Sequence, residues 1–265
     1  MAEENFVRQL KTLDFATIRL YNIKARLCAV SYTHLDVYKR QALAFTLDID
    51  ERERILKMIK EIKDGILYFD GCSTKGLAEK YGTPLYVISE TDILEKISQL
   101  KADFTDKYDG ARIAYACKAF CTKAMIKLCE REGLFVDVVS GGELYTAVSA
   151  GFPPERIEFN GNNKLPAELE EAIDYGIGRI IIDGLGELEL IESICKEKGK
   201  KVKVLYRITP GIKVDSHDYM ITGKKDSKFG IPLDEDIFYP EIEKAVKSQY
   251  VEFYGIHIHL SLIHI

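Results

Sequence analysis

The stretch Ile113–Cys121, IAYACKAFC, reads as a short apolar strand that ends on a lysine. Lysine is among the residues least often buried, because stripping water from an ammonium is costly. Lys118 therefore marks either the point where a strand surfaces or an amine kept inside for its chemistry. The question recurs along the chain. RIAYACKA, LFVDVVS, RIEFN, RIIIDG, KVKVLYRITP and EFYGIHIHL are apolar runs closing on polar or ionisable residues. Their ends carry Lys118, then Asp137 and Ser140, then Asn160, Asp183, Arg207 and His259.

Segments of helical period lie between these runs, among them TKAMIKLCEREG, ahead of a glycine or polar stop. Strand and helix alternate from about Thr91 onward, which predicts an α/β fold with a parallel sheet. A doubly wound sheet and a (β/α)8 barrel both satisfy this pattern. DGLGEL after the fourth run lacks the third glycine of a dinucleotide fingerprint and carries little weight.

Composition narrows the functional class. The 265 residues are 46% hydrophobic and 30% charged, with a net charge of −5 and no lysine- or arginine-rich block. Nothing recommends nucleic acid or an anionic membrane as a partner. No apolar run approaches the roughly 20 residues of a spanning helix. Six cysteines without CxxC spacing, and no secretory leader, read as thiols of a cytoplasmic protein.

Ahead of the alternating part, residues 42–90 hold a charged segment, DERERILKMIKEIKDG, expected as a helix stopped at Gly65. The strands ILYFDG and PLYVIS are expected next, with the helix TKGLAEKYG between them. Residues 1–41 show no clear period, and SYTHLDVYKRQ (Ser31–Gln41) resembles translated adapter sequence; an artefactual extension is expected there. The same expectation applies to the tail SLIHI, residues 261–265.

In a barrel, catalytic groups gather at the C-terminal ends of several strands. Ser140 and Asp183 are expected as N-caps of the following helices, whereas Lys118, Arg207 and His259 have no such structural role. His257 and His259, two apart, share one strand face and suit zinc, but no Asp or Glu is evidently placed to complete a ligand set. A lysine amine at a barrel mouth suits attack on an aldehyde, since partial desolvation lowers its pKa. Pyridoxal phosphate is the commonest such aldehyde.

YACKAF resembles the cofactor-lysine motif of the barrel-type pyridoxal phosphate decarboxylases. VDVVSGGELYTAVSAGFPPERIEFNGNNK (Val136–Lys164) resembles the diaminopimelate branch of that family, and TGKKDSKFGI and GIHIHL follow in the expected order. The resemblance spans about Leu67 to Leu260. It implies an alanine racemase-like pyridoxal phosphate barrel, with residues 91–260 supplying about six of the eight strands. It makes Lys118 the cofactor lysine, sets Asp137 near it, puts Arg207 in the active-site network and stacks His259 on the cofactor ring. Ser140, Asn160 and His257 would surround them.

By the same resemblance the substrate is a small basic amino acid, and residues 42–90 would pair with a C-terminal β-domain in a homodimer. The parent activity would turn meso-2,6-diaminopimelate into L-lysine. An ornithine or arginine decarboxylase, or a non-catalytic cofactor-binding barrel, are the rivals. Asn160 stands where the family often has histidine. After Leu260 the chain departs from the family's glycine-serine turn, so a truncated and inactive fragment is expected.

Overall fold

The computed structural model describes residues 60–209 and 229–259. The expectations for residues 1–41 and 261–265 lie outside that range. The chain divides into two compact units, with the boundary between Asp109 and Gly110.

The first unit opens with an antiparallel meander of β1 (Lys60–Lys63), β2 (Ile66–Phe69) and β3 (Cys72–Ser73). Its turns are the two Asp-Gly pairs. Asp64 and Gly65 have φ of 50° and 74°, and Asp70 and Gly71 have 48° and 74°. Paired positive φ values are what tight hairpins require, and Asp-Gly supplies them at low steric cost. The helix expected to run to Gly65 is thus replaced over Lys60–Lys63 by a strand. Residues 50–59 lie outside the described range.

Helix α1 (Thr74–Tyr81) follows as expected, capped by the Ser73 hydroxyl. PLYVIS does not form the expected strand. Its residues take no ladder partner among the described residues, and Tyr86 is 98% exposed. Helix α2 (Glu90–Leu100) starts at Ser89, whose hydroxyl accepts from Asp92 and donates to Asp70 at 2.7 Å.

In the second unit all six predicted runs form strands. They are β4 (Ala114–Ala116), β5 (Phe135–Val138), β6 (Ile157–Phe159), β7 (Arg179–Ile182), β8 (Val202–Thr209) and β10 (Val251–Ile258). A two-residue strand, β9 (Ile231–Pro232), pairs with β8. The helices between them are α3 (Lys123–Arg131), α4 (Gly141–Ser149), α5 (Pro166–Tyr175), α6 (Glu187–Lys198) and α7 (Glu235–Lys247).

The strands lie in the order β10-β8-β7-β6-β5-β4, all parallel, each beside its predecessor in the chain apart from the short β9. A doubly wound sheet reverses its strand order partway; a sheet winding toward a barrel does not. The sequential order decides between the two architectures left open by the sequence, in favour of the barrel type.

Strand parity then sorts the side chains. On the helix-facing side, Tyr206 is fully buried and its hydroxyl donates to Glu241 of α7. The other side carries Asp137, Glu158, Arg179, Arg207 and His257, all buried. The concave interior of this sheet is polar. At its N-terminal end, Gly178 approaches the turn before β6 so closely that an added Cβ would lie 2.3 Å from the Glu155 carbonyl oxygen. Gly184 has nothing within 4 Å of the corresponding position.

Gly178→Ala is accordingly expected to destabilise the chain by about 2–3 kcal/mol through overpacking. Gly184→Ala should stay within roughly 0.5 kcal/mol of wild type. Urea unfolding midpoints of the two variants test this, and equal effects would refute the close approach.

Candidate active site

Lys118 sits in a single 3-10 turn, Cys117–Ala119, where β4 ends. The turn is tied at both sides: the Phe120 N–H donates to the Cys117 carbonyl at 3.1 Å, and the Tyr115 hydroxyl donates to the Phe120 carbonyl at 2.9 Å. The Lys118 side chain keeps contact with solvent. Its pKa is nonetheless lowered, chiefly by partial desolvation, with Asp137 opposing the shift and Arg207 adding to it. The amine, the Asp137 carboxylate and the Arg207 guanidinium thus act on one another at the C-terminal strand ends.

Arg207 is held firmly. Its Nη1 donates to Asp183 Oδ1 at 2.8 Å in an ion pair whose side chains are 9% and 2% exposed, and its guanidinium lies 4.4 Å from the centre of the Phe229 ring. Asp183 Oδ2 accepts from the Gly230 N–H at 3.1 Å. Gly230 has φ +71°, and a Cβ there would meet the Arg207 carbonyl oxygen at 3.0 Å. Only glycine lets that backbone approach β8 unstrained. Asp183 therefore does not cap α6 as expected; Gly186 occupies the N-cap. The two glycines of DGLGEL separate Asp183 from the helix start, and its carboxylate turns to the buried arginine instead.

Ser140 does what sequence expected. Its Oγ accepts from the Glu143 N–H at 3.3 Å and caps α4. Glu143 in turn accepts from the Val139 N–H at 2.8 Å. Asn160 is buried just beyond β6, its amide oxygen accepting from Gly161 at 2.9 Å and its N–H donating to the Val138 carbonyl at 2.8 Å. These contacts hold adjacent strand ends in register beside the lysine.

His257 pairs in register with Arg207 and is fully buried. Neither ring nitrogen has a hydrogen-bond partner among the described residues. Burial, with Arg207 and His259 nearby, pushes its pKa down to about 3, so the imidazole is neutral at physiological pH. The His259 ring lies 6.5 Å from that of His257, tilted by 36°, and is half-buried. Among the described residues no cluster of three or more His, Cys, Asp and Glu is placed to hold a metal.

Three charged residues escaped the sequence reading. Glu158 and Arg179 form a buried ion pair at 3.3 Å on neighbouring strands, and Arg179 also lies against the rings of Phe135 and Tyr254, 5.2 Å from each. Burial pushes Glu158 up to about 7 despite the guanidinium. The signal was present in RIEFN and GRIIID, each a charge inside an apolar run. The third is Lys164, whose ammonium donates at 2.7 Å to each of the Gly161 carbonyl, the Ile181 carbonyl and Glu187 Oε1. A cleft of about 320 Å³ lies at the opposite strand ends, lined by Arg179, Lys203, Glu252 and Tyr254 among others, away from Lys118.

A depressed lysine amine among fixed charges at parallel strand ends suits a carbonyl-reactive enzyme of the barrel class. Residues 91–262 match the pyridoxal-binding domain of the pyridoxal-dependent decarboxylases, and the chain belongs to that family. Among its relatives are the diaminopimelate decarboxylases of Bacillus methanolicus, 50% identical over 196 residues, and of Bacillus subtilis, 47% identical over 201. The alignments cover 74% and 76% of this chain but 45% and 46% of those proteins, so the chain spans about half their length. The crystal structure of a diaminopimelate decarboxylase from M. jannaschii, 36% identical, superposes with a TM-score of 0.71 over 78% of this chain and 49% of that one. The same enzyme has been solved in complex with L-lysine, with a TM-score of 0.70 over 76% of this chain and 48% of that one, at 37% identity.

The two perturbed interior groups set a pH dependence. His257 takes its proton near 6.5 unfolded but only near 3 folded, so its contribution to stability is complete above pH 6.5 and drains as pH falls toward 3. Glu158 titrates near 4.5 unfolded and about 7 folded, so its contribution is complete below pH 4.5 and drains as pH rises toward 7. Each slope is about 1.4 kcal/mol per pH unit, and they oppose one another where the windows overlap. Stability should be flat between pH 4.5 and 6.5 and fall below pH 4.5. His257→Asn should leave a decline with rising pH, and Glu158→Gln a rise. Urea midpoints across this range check the slopes, and identical profiles for all three proteins would refute the assignment.

Proposed function

We propose that this chain is the cofactor-binding part of a diaminopimelate decarboxylase, which removes CO₂ from meso-2,6-diaminopimelate to yield L-lysine. The observation that carries the reading is the Lys118 amine at the sheet's C-terminal end, its pKa lowered by desolvation and acted on by the charges of Asp137 and Arg207. The donor set fits pyridoxal phosphate: an amine for its aldehyde, a neutral buried imidazole and fixed charges of both signs. The high identity to diaminopimelate decarboxylases favours their substrate over ornithine or arginine.

Lys118 would hold the cofactor through its amine, whose pKa is lowered chiefly by partial desolvation. Asp137 opposes that shift. Arg207, clamped by Asp183, presents a positive charge that cannot swing away. His259 would lie against the cofactor ring, while His257, Ser140 and Asn160 form the surround. Bound there, pyridoxal phosphate supplies an electron sink for the pair left by departing CO₂. A cytoplasmic homodimer with a small amino-acid substrate completes the reading.

Incubation of the chain with pyridoxal phosphate, borohydride reduction and peptide mapping should place the label on Lys118 and lose it in Lys118→Ala. Labelling of Lys123, Lys164 or Lys228 instead would overturn the cofactor assignment. The full-length coding sequence should restore growth without lysine to a bacterium lacking diaminopimelate decarboxylase, and Lys118→Arg, which keeps the charge but not the reactive amine, should not. Restored polyamine synthesis in place of lysine synthesis would move the substrate to ornithine or arginine.

A further inference from the structure

Lys164 has a side chain only 1% exposed, and its hydrogen bonds go to none of the residues assigned to the cofactor. Its acceptors come from three separate places: the loop after β6, strand β7 and the first turn of α6. All three donors of the ammonium are committed. Glu187, the charged acceptor, uses its other oxygen to accept the Asp183 N–H at 2.9 Å. Asp183 is the residue whose carboxylate clamps Arg207. A continuous path of charged hydrogen bonds thus runs Lys164, Glu187, Asp183, Arg207.

The path has a mechanical consequence. Without the ammonium, Glu187 would hold a half-buried negative charge with one oxygen unpaired, and the buried Ile181 carbonyl and the part-buried Gly161 carbonyl would each lose a donor. Such groups recover by turning toward water. If Glu187 turns, the Asp183 backbone loses its anchor and its carboxylate loses the angle at which it meets Arg207.

We infer that Lys164 is a positioning residue that fixes Arg207 through Glu187 and Asp183. The inference rests on the reading of Arg207 as part of the cofactor site. It assigns Lys164 no contact with substrate or cofactor.

The test uses the whole chain and the variants Lys164→Met, Glu187→Gln and the two combined. The guanidinium N–H resonances of Arg207, identified by their loss in Arg207→Lys, should be protected from exchange in the wild type. In each single variant they should exchange roughly tenfold faster, equivalent to ~1.4 kcal/mol. The double variant should exchange no faster than the worse single, because both substitutions cut one path. The dissociation constant for pyridoxal phosphate should rise by a similar factor, with Lys118 still the residue trapped by borohydride.

Unchanged Arg207 exchange in Lys164→Met, even with a lowered melting temperature, would make Lys164 merely structural and overturn the inference. Additive effects in the double variant would do the same. If Lys164→Met does not fold, Glu187→Gln decides alone, since it keeps an oxygen acceptor but breaks the path. A wild-type chain that takes up no pyridoxal phosphate would overturn the proposed function, while the exchange measurement would still decide what Lys164 does to Arg207.

Discussion

The buried pair between Arg207 and Asp183 is the interaction on which the site end of the sheet depends. A guanidinium stranded in a protein interior is destabilising by several kcal/mol, and so is a lone carboxylate. Neither residue is tolerable at its strand end without the other. Their meeting requires β7 and β8 to be neighbours in this register, with Ile182 opposite Tyr206. It also requires a residue without a side chain where the Gly230 backbone closes over β8. One ion pair therefore constrains strand order, register and the return of the chain after residue 228.

The same logic extends through the interior. Asp137, Glu158 and Arg179 occupy successive register positions on β5, β6 and β7. Two acids and one guanidinium side by side leave a surplus of negative charge in a poorly solvated space. Burial is the chief reason that the Glu158 pKa is raised, and the neighbouring Asp137 adds to it against the Arg179 guanidinium. An apolar filling would stabilise a barrel of this size more simply. A charged interior makes sense where the strand ends must present fixed charges of both signs to a ligand.

Much of this was legible in sequence. The six apolar runs and their polar ends fixed the strands of the second unit, because buried parallel strands are short, apolar and bounded by turn signals. Lys118, Arg207 and His259 were recognisable as residues that no capping role explains. What could not be read were the pairings. Glu158 and Arg179 lie 21 positions apart and meet only because β6 and β7 are adjacent. Asp183 passed for a helix cap because Asp after a strand usually is one, and only the buried arginine outbids that role. The N-terminal errors have a local cause. KEIKDG carries charges that suit a helix surface, but its Asp-Gly pair adopts two positive φ values, which no helix accommodates. PLYVIS has a strand's composition, yet a strand exists only where another backbone edge offers its hydrogen bonds.

The two lysines at the strand ends show why residue type alone does not identify a reactive amine. Lys164 has three acceptors at 2.7 Å, one of them a carboxylate. Together they commit all three of its N–H donors. Lys118 has no hydrogen-bond acceptor among the described residues; it feels Asp137 only through space and loses water to its surroundings. Partial desolvation disfavours its charged form. Both follow short apolar strands. The difference between them is the supply of acceptors, which depends on where α6 begins and which carbonyls β7 presents, and so on the fold as a whole.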